Sequence, residues 1–371
     1  MEKEKLNLKA LILVGGFGTR LRPLTFAKPK PLVELCNKPT LLYQIEALVE
    51  VGVNEIILAI NYQPEKMKSF IEETEKKYNV KIVCSKEDKP LGTAGPIGLA
   101  RDLYLKTPFD YLFVFNADIV CHYNLKELLN FHIEKKGEGT LCVTKVKDPS
   151  RYGVILYDEN NKIKDFVEKP LEFISDKINA GLYIFNYEFL NRIETKPYSI
   201  EREVFPKMAN DGVLFCMELK GFWKDIGQPK DFLEGNFLVL NNLCNDDCNK
   251  DKNLNNKGVL KGKVLVGSDC VIEEGAEVGP NVILGDNVVI KSGTKIKNSV
   301  ALNDSTINSN TFIENTIIGW GSRIGKWCRL KGTTIIGEDV SLADEVSVEE
   351  SLILPNVAVK KDVPKNSIII C

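Results

Sequence analysis

Residues 15–25 read Gly-Gly-Phe-Gly-Thr-Arg-Leu-Arg-Pro-Leu-Thr and follow a short apolar run, KALILV, at 9–14. A glycine-rich turn after a strand lets backbone N–H groups approach phosphate oxygens, because no side chain stands in the way. Cations come next, first in Thr19-Arg20 and then in Lys28-Pro29-Lys30-Pro31, where two prolines stiffen the backbone beside the charge. Such a segment suits the holding of a polyphosphate. It is not a P-loop, since no Gly-Lys-Ser/Thr closes it. Its spacing also differs from the G-x-G-x-x-G of dinucleotide folds.

Other polar groups stand where a strand-like run ends. Asp118 follows the run at 111–115, and Asp225 lies in a second strand-like segment. Glu168-Lys169 and Asn179 are further polar groups along the chain. Each has a plainer reading alone: an aspartate caps a helix, an asparagine makes a turn, and an exposed Glu–Lys pair is worth ~0–1 kcal/mol. The two histidines, His122 and His132, read as surface residues rather than catalytic ones.

The elements that must position these groups alternate over the first 240 residues. KALILV, EIILAI at 55–60, 80–84 and 111–115 read as strands. Between them, apolar residues at helical spacing (Leu41, Leu42, Ile45, Leu48, Val49) and the stretches 65–78 and 94–105 read as helices. This alternation predicts an α/β domain with a mostly parallel sheet and helices on both faces, whose ligands bind beyond the carboxyl ends of the strands. Residues 241–258 are nearly all Asn, Asp and Lys and read as a linker.

From 259 to 371 aliphatics recur every sixth residue: Val266, Ile272, Val278, Leu284, Ile290, Ile296 and Leu302. After one-residue adjustments around Ile307 and Ile313 the series continues as Ile318, Ile324, Leu330, Ile336, Leu342, Val348 and Leu354. Period six predicts a parallel β-helix with three hexapeptides per coil. Each inward aliphatic contributes ~1.5–3 kcal/mol on burial.

Composition excludes several classes. The chain has 371 residues, 44% hydrophobic and 27% charged, with a net charge of −2. No basic excess points to nucleic acid or an anionic membrane. No stretch approaches ~18 consecutive apolar residues, and the N-terminal apolar run is too short for a signal peptide. Ten cysteines without disulfide or zinc spacing predict a reduced, cytoplasmic chain. Cys244 and Cys248 lack a second ligand pair, and Cys371 is not placed for prenylation.

Further motifs join the glycine turn and Lys30-Pro31-Leu32. They are Pro90-Leu91-Gly92-Thr93-Ala94-Gly95, Asn116-Ala117-Asp118, Phe166-Val167-Glu168-Lys169-Pro170, Ile178-Asn179-Ala180-Gly181 and Phe222-Trp223-Lys224-Asp225-Ile226-Gly227-Gln228-Pro229. With the hexapeptide tail, the set resembles the sugar-nucleotide pyrophosphorylases, in particular the catalytic subunits of the eukaryotic-type GDP-mannose pyrophosphorylase (mannose-1-phosphate guanylyltransferase) family. The resemblance covers nearly the whole chain. Lys224 and the Asn-rich linker depart from the pattern, and neither removes a functional group.

The resemblance implies a Rossmann-like nucleotidyltransferase domain over 1–240, followed by a left-handed parallel β-helix over 259–371. It implies GTP and mannose 1-phosphate as substrates and GDP-mannose and pyrophosphate as products. Arg20, Lys30 and Lys169 would be catalytic. Leu13, Gly15, Gly16, Gly18, Thr19, Arg20, Lys30 and Gly92 would bind nucleotide. Asp118, Gly153, Glu168, Lys169, Asn179 and Asp225 would bind the sugar phosphate. Asp118 and Asp225 would hold Mg²⁺, since two carboxylates from separate segments can share one ion that bridges phosphates. A homo-oligomer, or a complex with a homologous regulatory subunit, is the implied assembly.

Three alternatives stay open. The base and sugar could be those of an ADP- or UDP-glucose enzyme. A non-catalytic regulatory homologue should have lost phosphate-loop or acidic residues, and none is missing here. A hexapeptide acyltransferase uses a histidine on its β-helix, whereas both histidines precede residue 133.

Overall fold

The computed structural model describes residues 6–16, 18–60, 64–243 and 255–370. Phe17, Cys244, Cys248, Cys371 and most of the expected linker lie outside them. The chain divides into two compact units. One comprises Met1–Gly16 and Leu41–Trp223; the other comprises Phe17–Thr40 and Lys224–Cys371. Sequence reading puts the boundary at the Asn-rich stretch. Contacts group residues 17–40 with the C-terminal half.

In chain order the strands up to residue 218 are β1 (Leu8–Leu13), β2 (Glu34–Leu35), β3 (Lys38–Pro39), β4 (Glu55–Ile60), β5 (Lys81–Lys86), β6 (Tyr111–Asn116), β7 (Ile119–Cys121), β8 (Gly139–Lys145), β9 (Gly153–Tyr157), β10 (Ile163–Glu168), β11 (Lys177–Phe185) and β12 (Leu214–Glu218). The first unit is built on a nine-stranded sheet of order β10-β9-β11-β6-β1-β4-β5, with β8 joined to β11 and β12 to β8. Strands β6, β1, β4 and β5 are parallel, with Leu11 opposite both Val114 and Ile57. β11 runs antiparallel to β6 and to β8, so the sheet is mixed.

The central strands are apolar throughout because both faces are covered. Every residue of EIILAI is buried. One charged register row is buried with them. Lys9 on β1, 1% exposed, reaches Glu55 on β4 at 2.8 Å and donates to the carbonyl of Tyr104 at 2.8 Å. Glu55 also bonds Lys81 on β5.

The expected helix at 94–105 is two short ones, Gly95–Leu99 and Arg101–Tyr104. Gly95 and Gly98 lie on the backbone of 194–196; a Cβ would come within 2.4 Å of the Lys196 carbonyl oxygen and 2.5 Å of that of Glu194. His132 corrects the surface reading. It is 1% exposed, bonded through Nδ1 to Thr140 Oγ1 at 2.9 Å and packed edge-on to Tyr111. His122 is exposed.

In the second unit, residues 18–40 form a 3-10 turn (Thr19–Leu21), a short helix (Leu24–Ala27), a second 3-10 turn (Lys30–Leu32) and the β2–β3 hairpin. The helix Pro229–Leu243 includes the first residues of the expected linker. Beyond it comes the left-handed β-helix, made of three parallel sheets of seven, six and seven strands.

Inward residues stack coil on coil: Leu284 on Val266, Ile290 on Ile272 and Ile336 on Ile318. The sequence period needs correction at two rungs. Ala301, not Leu302, stands between Leu284 and Ile318, and Ile353, not Leu354, stacks on Ile336. The shortened spacings fall before Ala301, Ile318 and Ile353. Left-handed Asn298, Asn315 and Glu350 turn those corners one residue early.

Candidate functional site

In the first unit the motif residues gather at the carboxyl end of the sheet, where parallel sheets present ligand sites. A cleft of about 670 Å³ at the opposite strand ends is lined by Asn7, Asn54, Val80 and neighbours and holds none of them. β1 ends at half-buried Leu13, and the Val14 amide donates to Ala59 O at 3.0 Å. Gly15 and Gly16 are exposed, and Gly16 has φ of 111°, which favours glycine.

Asp118 sits in the turn between β6 and β7. Gln44, fully buried on the helix Thr40–Val51, clamps that turn by donating to Asn116 O at 2.8 Å and Ile119 O at 3.1 Å. Across from it, β11 carries a register shift between Asn179 and Tyr183. Within this bulge Asn179 accepts from the Gly181 amide at 3.1 Å and donates to the Tyr183 hydroxyl at 2.8 Å. Gly181, at φ 77°, lets Asn116 close in, since a Cβ would be 2.9 Å from its Nδ2. The Trp223 indole donates to Ala180 O at 2.9 Å and braces the same bulge.

Gly153 pairs with Glu168 across β9 and β10, and its missing side chain is a necessity. A Cβ there would lie 2.6 Å from Phe166 Cζ and 2.8 Å from Glu168 Oε2. The Glu168 carboxyl is pushed up by burial and by the neighbouring charge of Glu201. Lys169, at φ 50°, donates its amide to Tyr152 O at 3.0 Å and brings Nζ to 3.5 Å from Glu168. The side chain is 56% exposed, so its ammonium can swing toward an anion.

Sequence reading missed Glu201. It accepts from Thr93 Oγ1 at 2.6 Å and from Ser199 Oγ at 2.7 Å, while Thr93 Oγ1 accepts from the Ile200 amide at 2.9 Å. These bonds stitch the Gly92 loop to residues 198–201. Gly92, at φ 74°, lies so close to Tyr198 that a Cβ would be 2.3 Å from its carbonyl oxygen. Glu201 thus touches the groups that hold Gly92 and influences Glu168 as well. The one sequence signal for it is the reciprocal cap Ser199/Glu203, in which the Ser199 amide donates to Glu203 at 3.2 Å.

In the second unit, Gly18 is left-handed (φ 61°) and packs under Thr25 and Lys30. A Cβ would be 2.9 Å from Thr25 Cγ2 and 3.1 Å from Lys30 Cβ. Thr25 Oγ1 donates to Gly18 O at 2.8 Å. Thr19 and Arg20 are exposed in the following 3-10 turn. The structure brings Arg20 to Asp225 by way of Gly227, whose amide donates to Asp225 Oδ1 at 2.8 Å. A Cβ on Gly227 would stand 2.9 Å from that oxygen and 3.1 Å from Arg20 Nη2. Lys224, which departs from the family pattern, pairs with Asp231 at 2.8 Å and with Glu234 at 2.5 Å, both on the helix that follows.

Asp118 belongs to the first unit and Asp225 to the second. Among the described residues no group of three or more His, Cys, Asp or Glu side chains gathers.

Comparison with known proteins agrees with this architecture. The Nucleotidyl transferase family matches residues 9–242, and the GMPPB C-terminal domain matches residues 260–369. The chain belongs to the nucleotidyl transferase family. It is 51% identical over 364 residues to the mannose-1-phosphate guanylyltransferase catalytic subunit beta of Dictyostelium discoideum, covering 98% of this chain and 100% of that one. It is 48% identical to the protein of the same name from Drosophila melanogaster, with 97% of each chain covered. Among solved structures it resembles a putative glucose-1-phosphate thymidylyltransferase from Bacillus anthracis, with TM-score 0.57 and 25% identity over 66% of this chain and 98% of that chain. No helix among the described residues is long and apolar enough to cross a membrane.

Proposed function

We propose that this chain is a mannose-1-phosphate guanylyltransferase, converting GTP and mannose 1-phosphate to GDP-mannose and pyrophosphate. The observation that carries the reading is the likeness, at about half identity over nearly both full lengths, to proteins bearing that name. The retention of Arg20, Lys30, Asp118, Lys169 and Asp225 supports it and speaks against a non-catalytic homologue.

An oxygen of the sugar phosphate attacks the α-phosphorus in line, and the bond to the β-phosphate breaks as pyrophosphate leaves. The substrate supplies the nucleophile and is already ionised near neutral pH, so no side-chain base is required. What the site must do is align two anions and neutralise them. Backbone amides of Gly16, Gly18 and Thr19, with Arg20 and Lys30, take the polyphosphate. Leu13, Gly15 and Gly92 contact the nucleoside. Lys169 takes the sugar phosphate and orients the attacking oxygen. Glu168, Asn179 and the backbone of Gly153 take sugar hydroxyls. Asp118 and Asp225 would hold Mg²⁺, which when bound supplies charge neutralisation across the phosphates.

The working arrangement would be a cytoplasmic homo-oligomer, or an assembly with a homologous regulatory subunit. The name "catalytic subunit beta" carried by two relatives supports a partner. A panel of nucleoside triphosphates against sugar 1-phosphates, scored by pyrophosphate release with and without Mg²⁺, tests the reading. GTP with mannose 1-phosphate should lead the panel. Release only from ATP or UTP with glucose 1-phosphate would reassign base and sugar, and no release with any pair would refute the enzyme.

A further inference from the structure

The β-helix makes direct contacts with residues 18–40, the segment that carries Arg20 and Lys30. Trp320, on the β-helix and 6% exposed, donates its indole N–H to Glu34 Oε2 at 3.2 Å. Glu34 also pairs with Lys28 through its other oxygen, and the Lys28 ammonium lies 4.6 Å from the centroid of the Trp320 ring. Three side chains therefore close a ring of contacts: indole to carboxylate, carboxylate to ammonium, ammonium to indole face.

Two more bonds fix the same segment. Asn37, left-handed at the β2–β3 turn, donates to the Leu284 carbonyl of the β-helix at 2.7 Å. The neighbouring Cys36 amide donates to Asn236 Oδ1 at 2.9 Å.

Lys28 and Glu34 flank Lys30 on either side. Pro29 and Pro31 leave the backbone between them little freedom. The Val33 amide donates to Lys30 O at 3.2 Å, closing the 3-10 turn. Holding Lys28 and Glu34 therefore holds the backbone of Lys30, and through Lys30 Cβ the Gly18 turn packed beneath it.

We propose that Trp320 is a positioning residue for the triphosphate-holding segment, so that the β-helix acts on nucleotide binding directly. The proposal rests on Arg20 and Lys30 being the polyphosphate contacts.

The test uses the full chain with Trp320→Leu, which removes both the N–H and the ring, and Trp320→Phe, which keeps a ring for Lys28 but loses the bond to Glu34. Hydrogen exchange should quicken in residues 24–39 of Trp320→Leu and stay as in the parent in residues 41–60. The KM for GTP should rise about tenfold while that for mannose 1-phosphate stays put, with Trp320→Phe falling between. Glu34→Gln, which keeps an acceptor for the indole but drops the charge, should also lie between.

Unchanged exchange in 24–39, or an unchanged KM for GTP, would overturn the proposal. So would a matched rise of both KM values together with a lower melting temperature, the pattern of a purely structural defect. A parent chain inactive with every substrate pair would refute the proposed function. In that case loosened exchange in 24–39 would still report the clasp while denying it a role in catalysis.

Discussion

The amide of Gly227 donates to the carboxylate of Asp225 at 2.8 Å, and the same glycine lies against the guanidinium of Arg20. Any side chain at 227 would push into both groups. Gly227→Ala should therefore leave the melting temperature near that of the parent while kcat falls by roughly 10², the scale of a small misplacement of reacting groups. Steady-state kinetics beside a thermal melt checks this, and parent-like kcat would remove Gly227 from the site.

Asp225→Asn keeps an acceptor for the Gly227 amide but loses the charge. Loss of one group that stabilises developing charge should lower turnover on the order of 10²–10³-fold, and Lys169→Met should do the same. The Asp225 variant should also need more Mg²⁺ to reach half its maximal rate. Turnover close to the parent in Asp225→Asn would dismiss the metal assignment.

Lys9, near the start of β1, and Glu55, the first residue of β4, form an ion pair at the strand ends opposite the motif residues. Glu55→Ala strands the Lys9 ammonium in the core and should destabilise the first unit by about 3–5 kcal/mol. Lys9→Met combined with Glu55→Gln should cost less than the two single changes summed, because no uncompensated charge is left. Urea unfolding followed by circular dichroism measures both.

His132 sets a pH dependence of stability. Burial lowers its pKa to about 4 from the usual 6.5. The unfolded chain therefore binds the proton more readily than the folded one. Stability should fall as pH drops from above 6.5 toward 4 and then level off for this group. At ~1.36 kcal/mol per pH unit, the span is on the order of 3 kcal/mol. Replacing His132 by Gln should flatten that part of the profile. If the parent and the variant gave parallel profiles between pH 4 and 7, His132 would not be the source.

Much of the candidate site was proposed from residue types alone. A glycine turn with flanking cations, acids at strand ends and a Glu-Lys turn are local signals, because phosphate chemistry needs those groups whatever surrounds them. Glu201 was not readable, since its link to the Gly92 loop runs through Thr93, 108 residues away in sequence. The burial of His132 was hidden too. Its helix, Leu125–Lys135, carries charge on one face, and only packing against Thr140 and Tyr111 shows which face His132 occupies.

The sequence by itself determined that an α/β half precedes a six-periodic half, because strand–helix alternation and hexapeptide repeats are written in local hydrophobic spacing. It could not say which residue turns each corner. Ala301 and Ile353 take the inward rungs because Asn298 and Glu350 adopt left-handed backbone one position early, a choice made by stacking on the coil below. Nor could it assign residues 17–40 to the C-terminal half. That grouping comes from contacts such as Trp320 with Glu34, 286 residues apart, and long-range pairs of this kind leave no periodic trace in the chain.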